Sequence, residues 1–133
     1  MLSYKNRFKY TLYTFKHKIA FLKVEKQLRG KNTLNGYLHD IDKPFLYLFC
    51  FWLDLPDIQT IHRKHNRHHV INNLKKTQND LLDTIIDWEC ARMTKPDKPL
   101  NAYETLMNIY TDYKDTYLPV IQKYLPHQVK NEE

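Results

Sequence analysis

The sequence predicts an all-helical protein, folded as a single compact bundle of about five to six helices. The chain has only two glycines and six prolines among its 133 residues, which leaves few places for hairpin turns. No stretch shows the sustained alternation of apolar and polar residues that is typical of a half-buried strand. With 42% hydrophobic residues, a chain of this length is expected to bury one core.

The first helix is predicted from a stripe of residues that recur in steps of three and four and would face the core. The stripe consists of Tyr10, Thr14, His17, Phe21, Val24 and Leu28. Gly30 is a natural stop for this helix, because glycine readily adopts the left-handed backbone found after a helix C-terminus. A short second helix is predicted over residues 34–40.

Proline and aspartate mark the next two boundaries. Pro44 starts an apolar third helix, because proline is favoured in the first turn of a helix. From Asp57 a fourth helix runs towards His69, and a polar loop follows over residues 72–78. The fourth helix would therefore carry most of the histidines of the chain.

The fifth helix covers residues 81–93 in this prediction. Asn79 or Asp80 can cap its N-terminus, because their side chains accept hydrogen bonds from the first free backbone N–H groups. The helix ends before a charged, proline-bounded loop over residues 95–99. That loop contains no residue expected in a core.

The last helix is predicted to be long. Asn101 is followed three residues later by Glu104, as in a capping box, and Pro126 closes the apolar and aromatic pattern that follows. The sequence therefore predicts one helical domain over residues 1–126 and a polar C-terminal tail over residues 127–133.

Charge and composition narrow the classes of partner. The net charge of +6 and the pI near 9.2 favour an anionic partner, most simply a phosphate-containing small molecule, with nucleic acid as an alternative. Cys50 and Cys90 have no paired spacing, so a reducing cytoplasm is expected. The longest apolar run, residues 45–53, is about half the length of a membrane-spanning helix, so no membrane partner is expected. A homo-oligomer is left open.

Four of the seven histidines lie within eight positions, at His62, His65, His68 and His69. On a helix, His62, Asn66 and His69 share one face, so their polar tips could converge, whereas His68 joins them only if the helix unwinds. Imidazole is a common protein ligand for zinc, manganese, iron and nickel. The alternative is a basic surface helix that contacts phosphate.

The dipeptide His39-Asp40 adds a second element. A neighbouring imidazole and carboxylate can hold one metal, and the second carboxylate oxygen can bridge to another. Lys43 follows three residues later, where its ammonium group could face a phosphate. The alternative for Lys43 is a solvent-exposed residue at a helix start.

His17 and Asp87 complete the set. His17 occupies a position on the apolar stripe of the first helix, and a buried imidazole requires a partner, which could also be a backbone carbonyl. Asp87 lies beside Trp88, and a carboxylate next to a core is costly unless it is paired or ligated. The alternative for Asp87 is a solvated position on the outer face of the fifth helix.

Taken in chain order, these motifs resemble those of the HD-domain metal-dependent phosphohydrolases. The resemblance spans residues 17–87 and rests on His17, His39-Asp40 with Lys43, His62, His68-His69 and Asp87. The pattern is more closely similar to a group of small bacterial and phage proteins with HD-x-x-K, H-x-x-x-N-x-H-H and D-W motifs. This similarity supports the predicted metal site, but it implies no particular activity.

The resemblance implies an HD-domain-like helical fold and a centre of one or two divalent ions, such as manganese, iron, zinc, nickel or magnesium. The implied ligands are His17, His39, Asp40 and Asp87 for one ion, and His62, His68 and His69 for a second ion bridged by Asp40. The glutamate and the Gly-Tyr-Pro segment of the HD-GYP variant have no counterpart here, so cyclic dinucleotide hydrolysis is not expected.

The function implied by the resemblance is hydrolysis of a phosphomonoester or phosphodiester of a nucleotide-like substrate by metal-activated water. Asp40 and Lys43 would be the catalytic residues, and Lys43 would also bind substrate together with Arg92, Lys95 and Lys98. One alternative is a non-catalytic module that contains a metal and binds a nucleotide or nucleic acid. Another is an iron-dependent oxygenase, because histidine and carboxylate ligands also suit iron.

Overall fold

The computed structural model describes residues 1–72 and 74–130, and within these ranges the chain is helical and contains no strand. The helices are α1 (Tyr4–Arg29), α2 (Leu34–Tyr37), α3 (Asp42–Phe49), α4 (Leu55–His65), α5 (Gln78–Thr94), α6 (Ala102–Ile109) and α7 (Lys114–Tyr124). Short 3₁₀ turns lie at Thr111–Tyr113 and Pro126–Gln128. All the α-helices except the single turn α2 are eight residues or longer, so the predicted all-α bundle of five to six helices is confirmed.

The core lies where α1 packs along α5, with α6 and α7 closing over α5. Phe21 of α1, Ile85 and Ile86 of α5, and Leu106 of α6 are all completely buried. The predicted inward stripe of α1 is confirmed at its centre, because His17, Phe21 and Val24 are buried. A second, smaller apolar cluster lies between α3 and α4 and is separate from this core.

Two of the predicted helix boundaries are confirmed, and one lies at a different residue. Gly30 ends α1 with a left-handed φ of 82°, and Asn101 caps α6 by accepting a hydrogen bond from the N–H of Glu104 at 2.9 Å. The cap of α5 is Thr77 rather than Asn79 or Asp80. Thr77 and Asp80 form a reciprocal capping box, so α5 begins three residues earlier than predicted.

Two helices around the histidines are shorter than predicted. The second helix ends at Tyr37, which leaves His39 and Asp40 in the turn before α3. The fourth helix ends at His65 rather than near His69. Its end is marked by Asn66, whose extended backbone leaves the helix and whose side chain donates to the carbonyl of His62 at 2.7 Å.

The prediction of a single long last helix is wrong. The structure divides it into α6, a 3₁₀ turn and α7. At the break, the hydroxyl of Thr111 donates to the carbonyl of Met107 at 2.6 Å. The backbone N–H of Tyr113 donates to the carbonyl of Tyr110 at 2.9 Å, which closes the 3₁₀ turn between the two helices.

The beginning of the predicted polar tail packs against the domain. Gln128 is buried, accepts a hydrogen bond from the N–H of Tyr103 at 3.2 Å and donates to the carboxylate of Glu89. The final residues 131–133 lie outside the described part of the chain. Among the described helices, none is both long and apolar enough to cross a membrane.

A buried arginine fixes α3 against α1. Arg7 is 3% exposed, and its guanidinium donates to the carbonyls of Tyr47 at 3.0 Å, Cys50 at 3.3 Å and Phe51 at 3.2 Å, and also to that of Leu53. These carbonyls lie at and just beyond the C-terminus of α3, where backbone acceptors lack helical partners. The charge of Arg7 is therefore satisfied by backbone, and α3 is held in place beside the site.

A buried carboxylate fixes the short helix α2. Glu25 is fully buried, accepts from the N–H of Thr33 at 3.0 Å and from its hydroxyl at 2.8 Å, and pairs with Arg29. Arg29 also donates to Asp83 of α5 at 2.7 Å. Gly36 packs directly on the Glu25 carboxylate, where an added Cβ would overlap the carboxylate atoms. Position 36 therefore requires glycine for close approach.

We expect Gly36→Ala to lower the free energy of unfolding by about 2–3 kcal/mol, because the added methyl group overpacks the buried Glu25 carboxylate. Urea unfolding followed by far-ultraviolet circular dichroism measures this. Gly30→Ala is the matched control. An added Cβ meets open space there, so only the left-handed backbone is unfavourable for alanine, which costs about 1 kcal/mol. Equal losses for the two variants would contradict this explanation.

Candidate metal centre

The turn between α2 and α3 presents His39 and Asp40 at the centre of the site. Both residues are buried, at 6% and 4% exposure. Asp40 has a φ of 56°, a left-handed backbone conformation that costs energy in residues other than glycine and is frequent at functional sites. The ring of Phe21 stacks on that of His39 with their centres 3.9 Å apart. Core packing and a strained backbone thus fix both side chains.

A first group of ligand-type atoms lies between α1, this turn and α5. It consists of His17, His39, Asp40 and Asp87, whose ligand-type atoms all lie within 4.8 Å of one another. Nε2 of His17 is 2.7 Å and Nε2 of His39 is 3.1 Å from Oδ1 of Asp87. The same two nitrogens are 3.7 and 3.4 Å from Oδ2 of Asp40. We call this group site A; such a set could hold a metal ion.

A second group, which we call site B, consists of His62, His68 and His69, again with ligand-type atoms within 4.8 Å of one another. Oδ1 of Asp40 faces this group, 3.0 Å from Nε2 of His62 and 3.1 Å from Nε2 of His68. The two oxygens of one carboxylate therefore face different groups. Asp40 has the position of a bridge between sites A and B.

Site B contains buried polar atoms that make no hydrogen bond with the described residues. They are Oδ1 of Asp40 and the Nε2 atoms of His62, His68 and His69. The distances from Asp40 to His62 and His68 are short, but the geometry is not that of a hydrogen bond. Buried polar groups without partners are rare and costly in folded proteins. Nitrogen and oxygen lone pairs that converge in this way fit a divalent cation of the kind that histidine and carboxylate bind.

The carboxylates of the centre are held in the charged form. Burial alone would raise the pKa of Asp40, but the imidazoles of His39, His62 and His68 and the ammonium of Lys43 bring it well below its ordinary value. Burial also opposes ionisation of Asp87, and His17 and His39 overcome it, so the pKa of Asp87 is likewise low. Both carboxylates are therefore anionic and available to a cation.

The histidines differ in their surroundings. Burial alone would lower the pKa of His17, but the Asp87 carboxylate raises it overall. Burial would also lower the pKa of His62, and there Asp40 and Asp42 raise it. The pKa of His69 is lowered to about 3 by burial and by the neighbouring imidazoles. His69 is therefore neutral at physiological pH, which is the form that binds metals.

Asp42, which is not among the predicted site residues, orients His62. Both oxygens of Asp42 lie 2.9 Å from Nδ1 of His62, and the amide of Asn66 donates to Oδ2 of Asp42 at 3.1 Å. A carboxylate on one ring nitrogen fixes the proton there and leaves the lone pair of the other nitrogen free. Nε2 of His62 is thus directed at site B. The signal in the sequence was the second aspartate of His39-Asp40-Ile41-Asp42.

The loop that carries His68 and His69 is held by Thr84 of α5 and by Lys76, which precedes α5. The hydroxyl of Thr84 donates to the carbonyl of His68 at 2.7 Å. Lys76 donates to the carbonyls of His69 and of Arg67, the latter at 3.1 Å. These contacts hold a non-helical segment in place, so both histidines converge on site B although α4 has already ended.

The second ring nitrogen of His17 faces a thiol. Sγ of Cys90 lies 3.9 Å from Nδ1 of His17 and 3.4 Å from the carbonyl of Asp87. Burial and the nearby carboxylates raise the pKa of Cys90, so the thiol stays protonated. The thiol can donate to the Asp87 carbonyl while Nδ1–H of His17 donates to sulfur. That arrangement would direct the lone pair of Nε2, which lies 2.7 Å from Oδ1 of Asp87, at site A.

A cavity of about 260 Å³ opens directly over both sites. Its floor includes His17, Asp40, His62, His69 and Asp87. Its rim carries four cationic side chains, Lys43, Arg63, Lys95 and Lys98. Tyr13, Trp88 and Tyr110 form aromatic parts of the wall. The cavity therefore combines a possible metal centre, a positive rim and flat apolar surfaces.

The structure brings together all seven side chains that the sequence analysis selected as metal ligands. Lys43 lies 3.7 Å from Oδ2 of Asp40, and Lys95 and Lys98 line the cavity, whereas Arg92 is exposed and is not among the residues that line it. The rim cation Arg63 and the wall residue Tyr110 also line the cavity, although neither is among the predicted site residues. Neither carries a motif, and only the fold places them at the cavity.

The chain matches no protein-family model, no curated protein and no solved structure at a significant level. The likeness to HD-domain phosphohydrolases therefore remains a resemblance of motifs. What the geometry itself establishes is coarser: two adjoining groups of histidine and aspartate side chains that could hold metal ions, beneath a cation-rimmed cavity.

Proposed function

We propose that this protein is a metal-dependent phosphohydrolase that cleaves a phosphomonoester or phosphodiester of a nucleotide-like substrate. One observation carries the proposal: sites A and B meet at the two oxygens of Asp40 on the floor of a cavity whose rim is cationic. Two adjacent cation sites are a recurrent arrangement for displacement at phosphorus. The positive rim supplies the matching preference for an anionic substrate.

Divalent ions bound at sites A and B would neutralise charge on the phosphoryl oxygens and lower the pKa of a water molecule held beside the phosphate. The protein side chains fix the position of that chemistry. Asp40 joins the two sites, and its neighbours hold it as a carboxylate. Asp42 and Cys90 orient His62 and His17 from outside the ligand sets.

The rim and wall of the cavity would bind the substrate. The ammonium of Lys43 lies beside Asp40 and can donate to a phosphate placed over it. Lys95 lies 4.7 Å from the centre of the Tyr13 ring, which holds this cation at the cavity mouth. The stacked rings of Trp88 and Tyr110, 5.1 Å apart, offer an apolar wall for a flat group such as a nucleobase.

The metal centre is tested first and separately from catalysis. Protein purified without a histidine tag should contain at least about one equivalent of divalent metal, because buried lone pairs need a cation. His39→Ala combined with Asp40→Ala should abolish this content, since both sites lose their shared ligand. Elemental analysis by mass spectrometry measures it.

The matched control for that double variant is His65→Ala with His127→Ala, because both of these histidines are exposed and outside sites A and B. The control should retain the metal content of the wild type. Equal trace metal in the wild type and in the His39 and Asp40 variant would refute the metal centre.

The role of Asp42 gives a second prediction. Asp42→Asn should weaken metal affinity by about 10- to 100-fold, as expected when a carboxylate that orients a histidine ligand is removed. Competition with a fluorescent chelator measures the affinity. Asp112→Asn removes the same charge from an exposed turn after α6 and should leave the affinity unchanged. An unchanged affinity in Asp42→Asn would show that this contact does not orient a ligand.

Catalysis is tested with metal-loaded protein and a panel of phosphoesters. We expect turnover of p-nitrophenyl phosphate, bis-p-nitrophenyl phosphate or a nucleotide, and a fall in kcat of about 100-fold in Lys43→Gln, because a cation aimed at the phosphate is lost. The metal content of Lys43→Gln should equal that of the wild type. Lys31→Gln, exposed and distant from the cavity, is the charge-matched control.

Absence of turnover across the panel under manganese, iron and zinc would overturn the enzymatic proposal. If the same metal-loaded protein then bound nucleotides or oligonucleotides, the function would be that of a metal-containing binding module. The metal analysis stands apart from this outcome, because it needs no substrate.

A further inference from the structure

The outer side of α1 carries an apolar stripe that the described part of the chain leaves uncovered. Its residues recur in steps of four, four, three and four, which places them on one side of a helix. They are Tyr4, Phe8, Leu12, Phe15 and Ile19. Their exposed fractions run from 44% at Phe15 to 75% at Tyr4. With about 150–250 Å² for each large side chain, the stripe exposes roughly 500 Å², a size at which an exposed apolar patch is often functional.

Aromatic residues extend this stripe at its N-terminal end. The rings of Tyr4 and Phe51 are 5.4 Å apart, so the turn after α3 adjoins the start of α1. Phe51 is 45% exposed, and the neighbouring Trp52 is 76% exposed. The uncovered surface therefore combines one long helix face with an exposed tryptophan.

A row of lysines runs along one edge of the stripe. Lys5, Lys9, Lys16 and Lys23 are exposed and lie in steps of four, seven and seven, which again keeps them on one side of α1. On the other edge, Lys18 lies 5.7 Å from the ring of Phe15. The one acidic residue of α1, Glu25, is fully buried. The exposed surface of α1 is thus apolar along its centre and positive along its edges.

This distribution of charge favours an anionic lipid surface over a second copy of the chain as the partner of α1. In a symmetric dimer joined through the stripe, the lysine row of one copy would lie near the same row of the other, and like charges would oppose association. A surface of anionic phospholipid satisfies both features, because apolar side chains enter the boundary between headgroups and acyl chains while lysines meet the lipid phosphates. Exposed tyrosine and tryptophan also suit that boundary.

We propose that α1, together with Phe51 and Trp52, docks this protein on a membrane surface rich in anionic phospholipid. The earlier expectation of no membrane partner rested on the lack of a spanning segment, and a helix that lies in the interface needs none. The proposal is independent of the phosphohydrolase function.

The proposed docking face of α1 does not include the metal ligand that this helix carries. His17, on the floor of the cavity, is two residues from both Phe15 and Ile19, which places it about 200° around the helix from each. His17 and the apolar stripe therefore lie on nearly opposite sides of α1.

The test is co-sedimentation of the full chain with vesicles. Vesicles of phosphatidylglycerol and phosphatidylcholine in equal parts should bind at least about ten times more protein than pure phosphatidylcholine, and added salt should reduce the binding. Phe8→Glu combined with Phe15→Glu should abolish binding, since charge replaces the apolar contacts. Lys5→Gln, Lys9→Gln and Lys16→Gln together should remove the preference for the anionic lipid.

The matched control is Met93→Glu combined with Leu100→Glu. These residues are 53% and 62% exposed but lie outside the stripe, so the pair makes the same change in charge and exposed apolar area without altering the face. It should bind vesicles far better than the Phe8 and Phe15 pair. Circular dichroism spectra that match the wild type would show that all variants fold.

Two results would overturn the proposal. One is wild-type protein that stays in the supernatant with both kinds of vesicle. The other is a vesicle-free dimer, seen by analytical ultracentrifugation, that Phe8→Glu with Phe15→Glu dissociates, because the stripe would then be a surface for self-association.

Discussion

The buried carboxylate of Asp40 is the constraint around which the structure is arranged. An ionised carboxylate that is 4% exposed is tolerated only if cations or hydrogen-bond donors surround it. Here the surrounding groups are imidazoles and Lys43. They come from α1, the turn before α3, the first turn of α3, the C-terminal end of α4 and the loop after it. Segments distant in sequence must therefore converge on one residue, and the bundle is the scaffold that brings them there.

Other buried charges hold those segments in place. Arg7 ties the end of α3 to α1 through backbone carbonyls, and Glu25 with Arg29 ties α2 to α1 and α5. The Glu25 network holds α2, which leads into the turn that carries Asp40, and the Arg7 network holds the opposite end of α3. Because each of these charges is fully partnered by hydrogen bonds, it supports a single geometry rather than adding cost. The unpartnered buried polar atoms at the centre belong to site B, with Tyr117 the one further case among the described residues.

The fold class followed from local patterns, and the choice of site residues also depended on the resemblance of their order to HD-domain motifs. The geometry of the site followed from neither. The stripe containing His17 and Phe21 repeats at helical spacing, so its burial is visible in the sequence. The end of α4 was misplaced because the segment that follows it depends on tertiary contacts, such as Asn66 with Asp42 and Thr84 with the carbonyl of His68. The second role of Asp42 and the rim position of Arg63 likewise depend on partners distant in sequence.

The two faces of α1 have opposite consequences for stability. The inner face buries His17, whose imidazole is costly in a core unless it finds a partner. The outer face exposes aromatic residues, which lose the free energy that burial would have contributed. A helix that gives up stability on both sides is difficult to explain by folding alone. Both features are accounted for if the inner face holds a cation centre and the outer face is covered when the protein acts.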